Sequence, residues 1–281
     1  MRDFKAIFFI IYSSININPC FSQVQSNLDA LIKDQLADSG FQTKIIQLGL
    51  SSTKKFRGEC EFPKELFKIL ELEEIYLYGL PIEKIPKEIL NFKHLKVLFI
   101  SNAKMRVLPP ELSQLDSLNS LYIIEGKLNS IPRTIGNLRN LTSLSIQGNK
   151  EFNYDSIGFY LRNTNLTELC FGNKRFKKLD SSFLNLQSLE YIQISYGNKI
   201  DYYSLVQTLN QLKGLKKIAF NECRFSMKEV QLLEKIRPNV KLQFINCNTP
   251  KNSINNLKLK LQDTNEVIIG YRYKAKSYGS F

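Results

Sequence analysis

The sequence has no tryptophan, one histidine, only five cysteines and no hydrophobic run long enough to cross a bilayer. Each shortage excludes something. A single histidine, His94, cannot furnish both a metal cluster and a catalytic triad. The cysteines make no C-x-x-C pair, which removes the common zinc arrangements. Neither G-x-S-x-G, H-E-x-x-H nor a phosphate-cradling glycine loop occurs. Neighbouring acids such as Glu73 and Glu74 point to opposite faces of a strand, so they do not form a general acid/base pair. Cys170 has no histidine in its register. No enzymatic activity, cofactor or metal is therefore expected. The apolar run Ala6–Tyr12 falls well short of the ~20 residues of a membrane helix.

What the sequence has is a period. Leu72, Leu95, Leu118, Leu141, Leu166, Leu189 and Leu215 open the same phrase at spacings of 23, 23, 23, 25, 23 and 26 residues. The phrase is L-x-x-L-x-L, then an apolar residue, then I-P or L-P, then a closing apolar pair, as in LKVLFISNAKMRVLPPELSQLDS and LNSLYIIEGKLNSIPRTIGNLRN. A fixed period of this size marks a solenoid, in which each coil packs on its neighbours. Alternation predicts a short strand at L-x-x-L-x-L. Ile85-Pro86, Leu108-Pro109 and Ile131-Pro132 then turn the chain to the far side, since proline fixes φ and cannot join a ladder. Ile89, Leu112, Ile135 and Phe183 follow on short helical turns and point inward. Glu229–Ile236 reads as a helix and Val240–Phe244 as a last strand.

These phrases resemble the leucine-rich repeat family, particularly its 23-residue class with I-P-x-x-I-x-x-L, over roughly residues 43–247. The resemblance implies an α/β solenoid: a curved parallel β-sheet on the concave face, short helices and turns on the convex face, and a role in protein recognition. One departure stands out. The family commonly places asparagine after the strand, where this chain has Leu80, Ala103, Gly126, Asn149, Lys174, Gly197 and Cys223. An asparagine ladder is expected to be mostly missing.

The N-terminus reads as an export signal over residues 1–22: Arg2 and Lys5, the core Ala6–Tyr12, then Cys20-Phe21-Ser22 before Gln23. The competing reading of this segment is an N-terminal strand or helix within the fold. Export would place the protein outside the cytoplasm, with no transmembrane segment in the mature chain. Lysine-, asparagine- and isoleucine-rich composition and the CFSQ junction look bacterial. Residues 23–42 are expected to hold a capping helix, with Leu28, Leu31, Ile32 and Leu36 on one face. The basic residues 248–281 read either as a closing hairpin or as a disordered tail. Cys223 and Cys247 occupy similar places in successive coils, compatible with a disulfide or with two buried thiols.

Residues between the inward leucines line the concave face. The central row is expected to run Gly49, Tyr76, Phe99, Tyr122, Ser145, Cys170, Gln193 and Ala219. Tyr76, Tyr78, Val97, Phe99, Tyr122 and Ile124 make its first half aromatic and apolar, with Tyr191 further along. Such clusters suit a protein or peptide ligand. Strand propensity selects the same residue types, and a tail or insert folded over the face would bury them. A second candidate is basic: Lys174, Arg175, Lys177, Lys178, Lys217 and Arg224, in a chain of net charge +13. It suits an acidic glycan or an anionic membrane. Nucleic acid is not expected, because the basic stretches lack interleaved aromatics.

Overall fold

The computed structural model describes residues 7–11, 45–50, 61–197 and 199–248. The expected capping helix over 23–42, the insert SSTKKFRGEC with Cys60, and the tail beyond residue 248 lie outside them. Within the described residues, ten strands form one sheet in chain order, every adjacent pair parallel. They are β1 (Ile7–Ile11), β2 (Ile45–Leu50), β3 (Glu74–Tyr78), β4 (Val97–Ser101), β5 (Ser120–Ile124), β6 (Ser143–Ser145), β7 (Glu168–Phe171), β8 (Tyr191–Ser195), β9 (Lys217–Asn221) and β10 (Lys241–Ile245). The returns carry 3₁₀ turns at Lys64–Lys68, Lys87–Asn91, Pro110–Gln114, Arg133–Asn137 and Ser181–Asn185. Three α-helices join them: α1 (Ile157–Tyr160), α2 (Tyr202–Gln211) and α3 (Met227–Leu233).

The leucine frame is the core. Ile89, Leu112, Ile135 and Phe183 are fully buried on their turns, as the period predicts. Pro86, Pro109 and Pro132 cap those turns in extended backbone, where a missing N–H costs nothing. Between β6 and β8 the I-P dipeptide disappears and aromatic rings replace it. Phe152, Tyr154, Phe171, Phe176 and Phe183 pack with centroids 4.7–5.5 Å apart. The buried Tyr154 hydroxyl accepts from the Gly172 amide at 2.9 Å. That bond anchors the longer return to the sheet.

Every regular strand from β3 onward is followed by a residue in left-handed conformation. The row is Gly79, Asn102, Glu125, Gly148, Gly172, Tyr196, Glu222 and Asn246, with φ between 51° and 118°. Gly172 has the largest angle, and a Cβ there would lie 2.2 Å from the Ser195 carbonyl. Only glycine fits.

Four sequence expectations are corrected. The β2 register sets Gln47 beside Tyr76 and Gly49 beside Tyr78. Ile46 pairs with Ile75 and Leu48 with Leu77, so Gly49 leaves the central row. Helix α3 starts at Met227 because Ser226 caps it: its hydroxyl accepts from Glu229 N, and the Glu229 carboxylate accepts from Ser226 N at 2.6 Å. The last strand is Lys241–Ile245, one residue later than expected. Finally, the asparagine place after β7 holds Asn173, not Lys174. Asn173 is buried and donates to the carbonyls of Asn149 and Phe152, while Lys174 is exposed.

Asn149 and Asn173 thus form a short ladder. Beyond them cysteines take over: Cys223 Sγ sits 3.4 Å from Asn221 O, and Cys247 Sγ sits 3.2 Å from Phe220 O. In the earlier coils backbone pairs with backbone. The Lys104 and Met105 amides share Ile82 O, and Lys127 N donates to Ala103 O. Leu80 and Ala103 can therefore be apolar without orphaning a carbonyl.

The segment read as the export-signal core supplies β1, parallel to β2 with Ile7 beside Ile46. Cleavage before Gln23 would remove β1 and leave β2 at the edge.

Candidate functional site

Parallel pairing stacks the central row in register. Tyr76 lies beside Phe99, Phe99 beside Tyr122, Tyr122 beside Ser145, Ser145 beside Cys170 and Cys170 beside Gln193. This register brings four of the expected aromatics together. The Phe99 centroid is 6.0 Å from Tyr76, 4.9 Å from Tyr78 and 6.1 Å from Tyr122. Such separations are those of offset and tilted aromatic pairs. Phe99 is fully buried at the centre of the cluster, while Tyr76, Tyr78, Tyr122 and Val97 around it are half-buried. Ile124 and Tyr191 keep 8% of their surface. The face is therefore less open than alternation alone suggests. Tyr76, Tyr78 and Tyr122 offer accessible area, and Phe99 supports them from beneath.

The hydroxyls are anchored. Tyr76 donates to Glu74 Oε2 at 2.9 Å. Tyr122 donates to Ser143 Oγ at 3.0 Å, and Ser143 donates onward to Glu168 Oε2 at 3.2 Å. Anchoring fixes the orientation of these two rings. Burial pushes the Tyr78 hydroxyl above its ordinary pKa.

The second half of the face is an amide network. Tyr191 donates to Gln193 Oε1 at 3.0 Å, and Gln193 Nε2 donates to Gln147 Oε1 at 2.8 Å. Ser195 donates to the same Gln147 oxygen at 2.7 Å. Gln147 reaches two coils because the coil between them carries Gly172 at that place. A second span runs nearby: Tyr196 donates to Glu125 Oε1 at 2.6 Å, across 71 residues of sequence. Sequence reasoning missed both bridges. Gly172, bare between Gln147 and Ser195 in its row, was the available signal.

Burial, with the Glu168 carboxylate beside it, pushes the Cys170 thiol up to about 12, which disfavours the thiolate that nucleophilic attack needs. Burial likewise raises Tyr154, Tyr191 and Tyr202. Protonated forms are favoured in the folded state, so this stability is complete at neutral pH. It drains away once pH rises above the ordinary thiol value of 9.0, through about 12. Thermal melts from pH 7 to 11 should show falling stability above pH 9, with a smaller fall in Cys170→Ser. An unchanged melting temperature over that range contradicts this linkage. His94 is exposed on a turn, 3.9 Å from Glu71. Among the described residues no cluster of three histidines, cysteines or acids could hold a metal.

The six basic candidates do not form one patch. Lys174, Arg175, Lys177, Lys178 and Arg224 are exposed in the loops after β7 and β9, with Arg175 paired to Glu151. Lys217 is half-buried on β9, beside Tyr191 and Lys241.

No family model matches the sequence, and no curated protein matches it. Solved structures do. Human 5T4 (Wnt-activated inhibitory factor 1, trophoblast glycoprotein) is similar at a TM-score of 0.52 and 15% identity, over 68% of this chain and 76% of that one. A leucine-rich repeat protein of Leptospira interrogans aligns at a TM-score of 0.32 and 18% identity, over 78% of this chain and 77% of that one. The 5T4 likeness and the repeat geometry give the same fold, a leucine-rich repeat solenoid with a parallel sheet on its concave face and short helices and turns on its convex face.

Proposed function

We propose that this leucine-rich repeat solenoid is a non-enzymatic scaffold that binds a protein or peptide on its concave face. The observation that carries it is the ring cluster of Tyr76, Tyr78, Phe99 and Tyr122, joined across β3–β5 and bordered by Val97 and Ile124. A buried ring supporting anchored, half-buried tyrosines is how an interface hot spot is built: large, rigid and already partly desolvated. Tyr191 borders the amide network and extends the same surface toward groups that pair with peptide backbone.

The test is a pull-down with the chain from Gln23 onward, eluted in steps of rising salt. A discrete protein should stay bound at high ionic strength. Tyr76→Ala and Tyr122→Ala should each weaken it by about 2 kcal/mol, roughly thirtyfold. Both spare the fully buried Phe99. Wild-type affinity in the double variant would sink the proposal.

A second reading rests on Lys174, Arg175, Lys177, Lys178 and Arg224, all exposed. In it the protein adheres to acidic glycan or anionic membrane. That binding should weaken steeply with salt, because exposed charges are screened within ~8 Å at physiological ionic strength.

Both readings place the protein outside the cytoplasm. Among the described residues no helix is long and apolar enough to cross a membrane. Mass spectrometry of the protein recovered from the source should give an N-terminus at Gln23. A retained Met1 would mean that Ile7–Ile11 serves only as β1.

A further inference from the structure

Two thiols remain that the concave face does not use. The geometry points to Cys223 and Cys247 as a dithiol redox site that takes small disulfides and closes into an intramolecular disulfide. It is independent of what the concave face binds.

The placement comes from the sheet. Ile245 pairs with Asn221 in parallel register. The ladder continues past the left-handed turns: Glu222 N donates to Ile245 O at 2.9 Å, and Asn248 N donates to Cys223 O at 3.0 Å. Cys247 therefore stacks on Cys223 one strand spacing away, about 4.8 Å. Disulfides span Cα separations of about 4.4–6.8 Å. The Cys223 amide already donates to Cys247 Sγ at 3.4 Å, so this sulfur leans onto the neighbouring coil. Both occur as free thiols.

The two differ in a way that sets the order of events. Cys223 is buried, 1% exposed, whereas Cys247 is half-buried and open to a reagent. The neighbouring Cys223 side chain, with the Cys223 amide that reaches Cys247 Sγ, holds the Cys247 thiol below its ordinary pKa. The adjacent Cys247 side chain and burial raise Cys223. Cys247 is thus the attacking thiolate and Cys223 the resolving thiol.

In the first step, Cys247 thiolate attacks one sulfur of glutathione disulfide. The S–S bond breaks, a mixed disulfide forms and one glutathione thiolate leaves. In the second, Cys223 gives up its proton to solvent, and its sulfur attacks the Cys247 sulfur. The second glutathione leaves. Two protein thiols are oxidised to one disulfide, and one small disulfide is reduced to two thiols. The bond ties β10, the last described strand, to β9. It replaces weak S–H contacts to Phe220, Ile245 and Asn221 carbonyls with a covalent closure of the final coil.

The experiment uses the full chain, glutathione disulfide, intact mass and peptide mapping. The expected product has lost two hydrogens and contains a Cys223–Cys247 crosslinked peptide. Before oxidation, iodoacetamide should label Cys247 many times faster than Cys223, and after oxidation neither. Cys223→Ser should stop at a stable glutathione adduct on Cys247. In the wild-type chain, a stable adduct, unreacted thiols, an intermolecular dimer or pairing with Cys20, Cys60 or Cys170 each overturns the proposal.

Discussion

Replacing Phe171 by alanine should destabilise the fold by about 3–5 kcal/mol, the range for an aromatic removed from a packed core. Phe171 ends β7 with no exposed surface. Its ring meets Tyr154 at 5.5 Å, Phe176 edge-on at 5.2 Å and Phe183 at 5.5 Å. These four rings come from one strand and two returns, so a cavity there separates coils rather than loosening one. In a solenoid, stability is close to a sum of coils and coil-to-coil interfaces. A break in the middle should therefore lower the urea midpoint and uncouple the two halves, giving a broadened or biphasic transition. Phe159 on α1, half exposed beneath Arg162 and meeting only the edge of its neighbour Tyr160 among the described rings, is the control. Its alanine variant should change stability by no more than about 0.5 kcal/mol. Equal effects at the two positions would mean that the aromatic core does not join the halves.

The same residues mark what the sequence discloses. Leu72, Leu95 and their successors repeat because every coil must bury the same inward positions, and that requirement is written residue by residue. Strand order and sheet face followed from it. The aromatic core was less legible. Phe152, Tyr154 and Phe176 sit where the I-P frame lapses, and their contacts join residues from different returns. A one-residue misplacement at Lys174 hid Asn173, because Gly172 alone separates Phe171 from Asn173, where Gln147 and Gly148 separate Ile146 from Asn149. On the concave face, alternation correctly put Tyr76, Phe99 and Tyr122 in one row. It could not say that Phe99 would be enclosed, since burial depends on how neighbouring rings tilt. Nor could it reveal Gln147 reaching Ser195 and Gln193, a contact two coils long that exists because Gly172 carries no side chain.

Asn149→Ala should cost about 3 kcal/mol although it deletes only an amide, because it orphans buried backbone on two coils at once. Asn149 is fully buried. Its Nδ2 donates to Ile123 O at 2.6 Å and to Ile146 O at 2.9 Å, and its Oδ1 accepts from Leu128 N at 3.0 Å. Gly126 makes the space: a Cβ there would stand 3.0 Å from Asn149 Oδ1 and 2.9 Å from Ala103 O. The two positions are thus complementary, a side chain on one coil entering the gap left by its absence on the coil before. Earlier coils do without this device because their backbones bond directly, as Lys127 N does to Ala103 O. The asparagine is needed where the coils lengthen after β6 and that direct pairing gives out. Urea denaturation measures the loss, and amide exchange locates it: the Leu128 amide should lose protection first. A Leu128 amide that stays protected in the variant, with a midpoint within about 0.5 kcal/mol of wild type, would mean that water or backbone replaces the side chain. The ladder would then be incidental to the stability of the central coils.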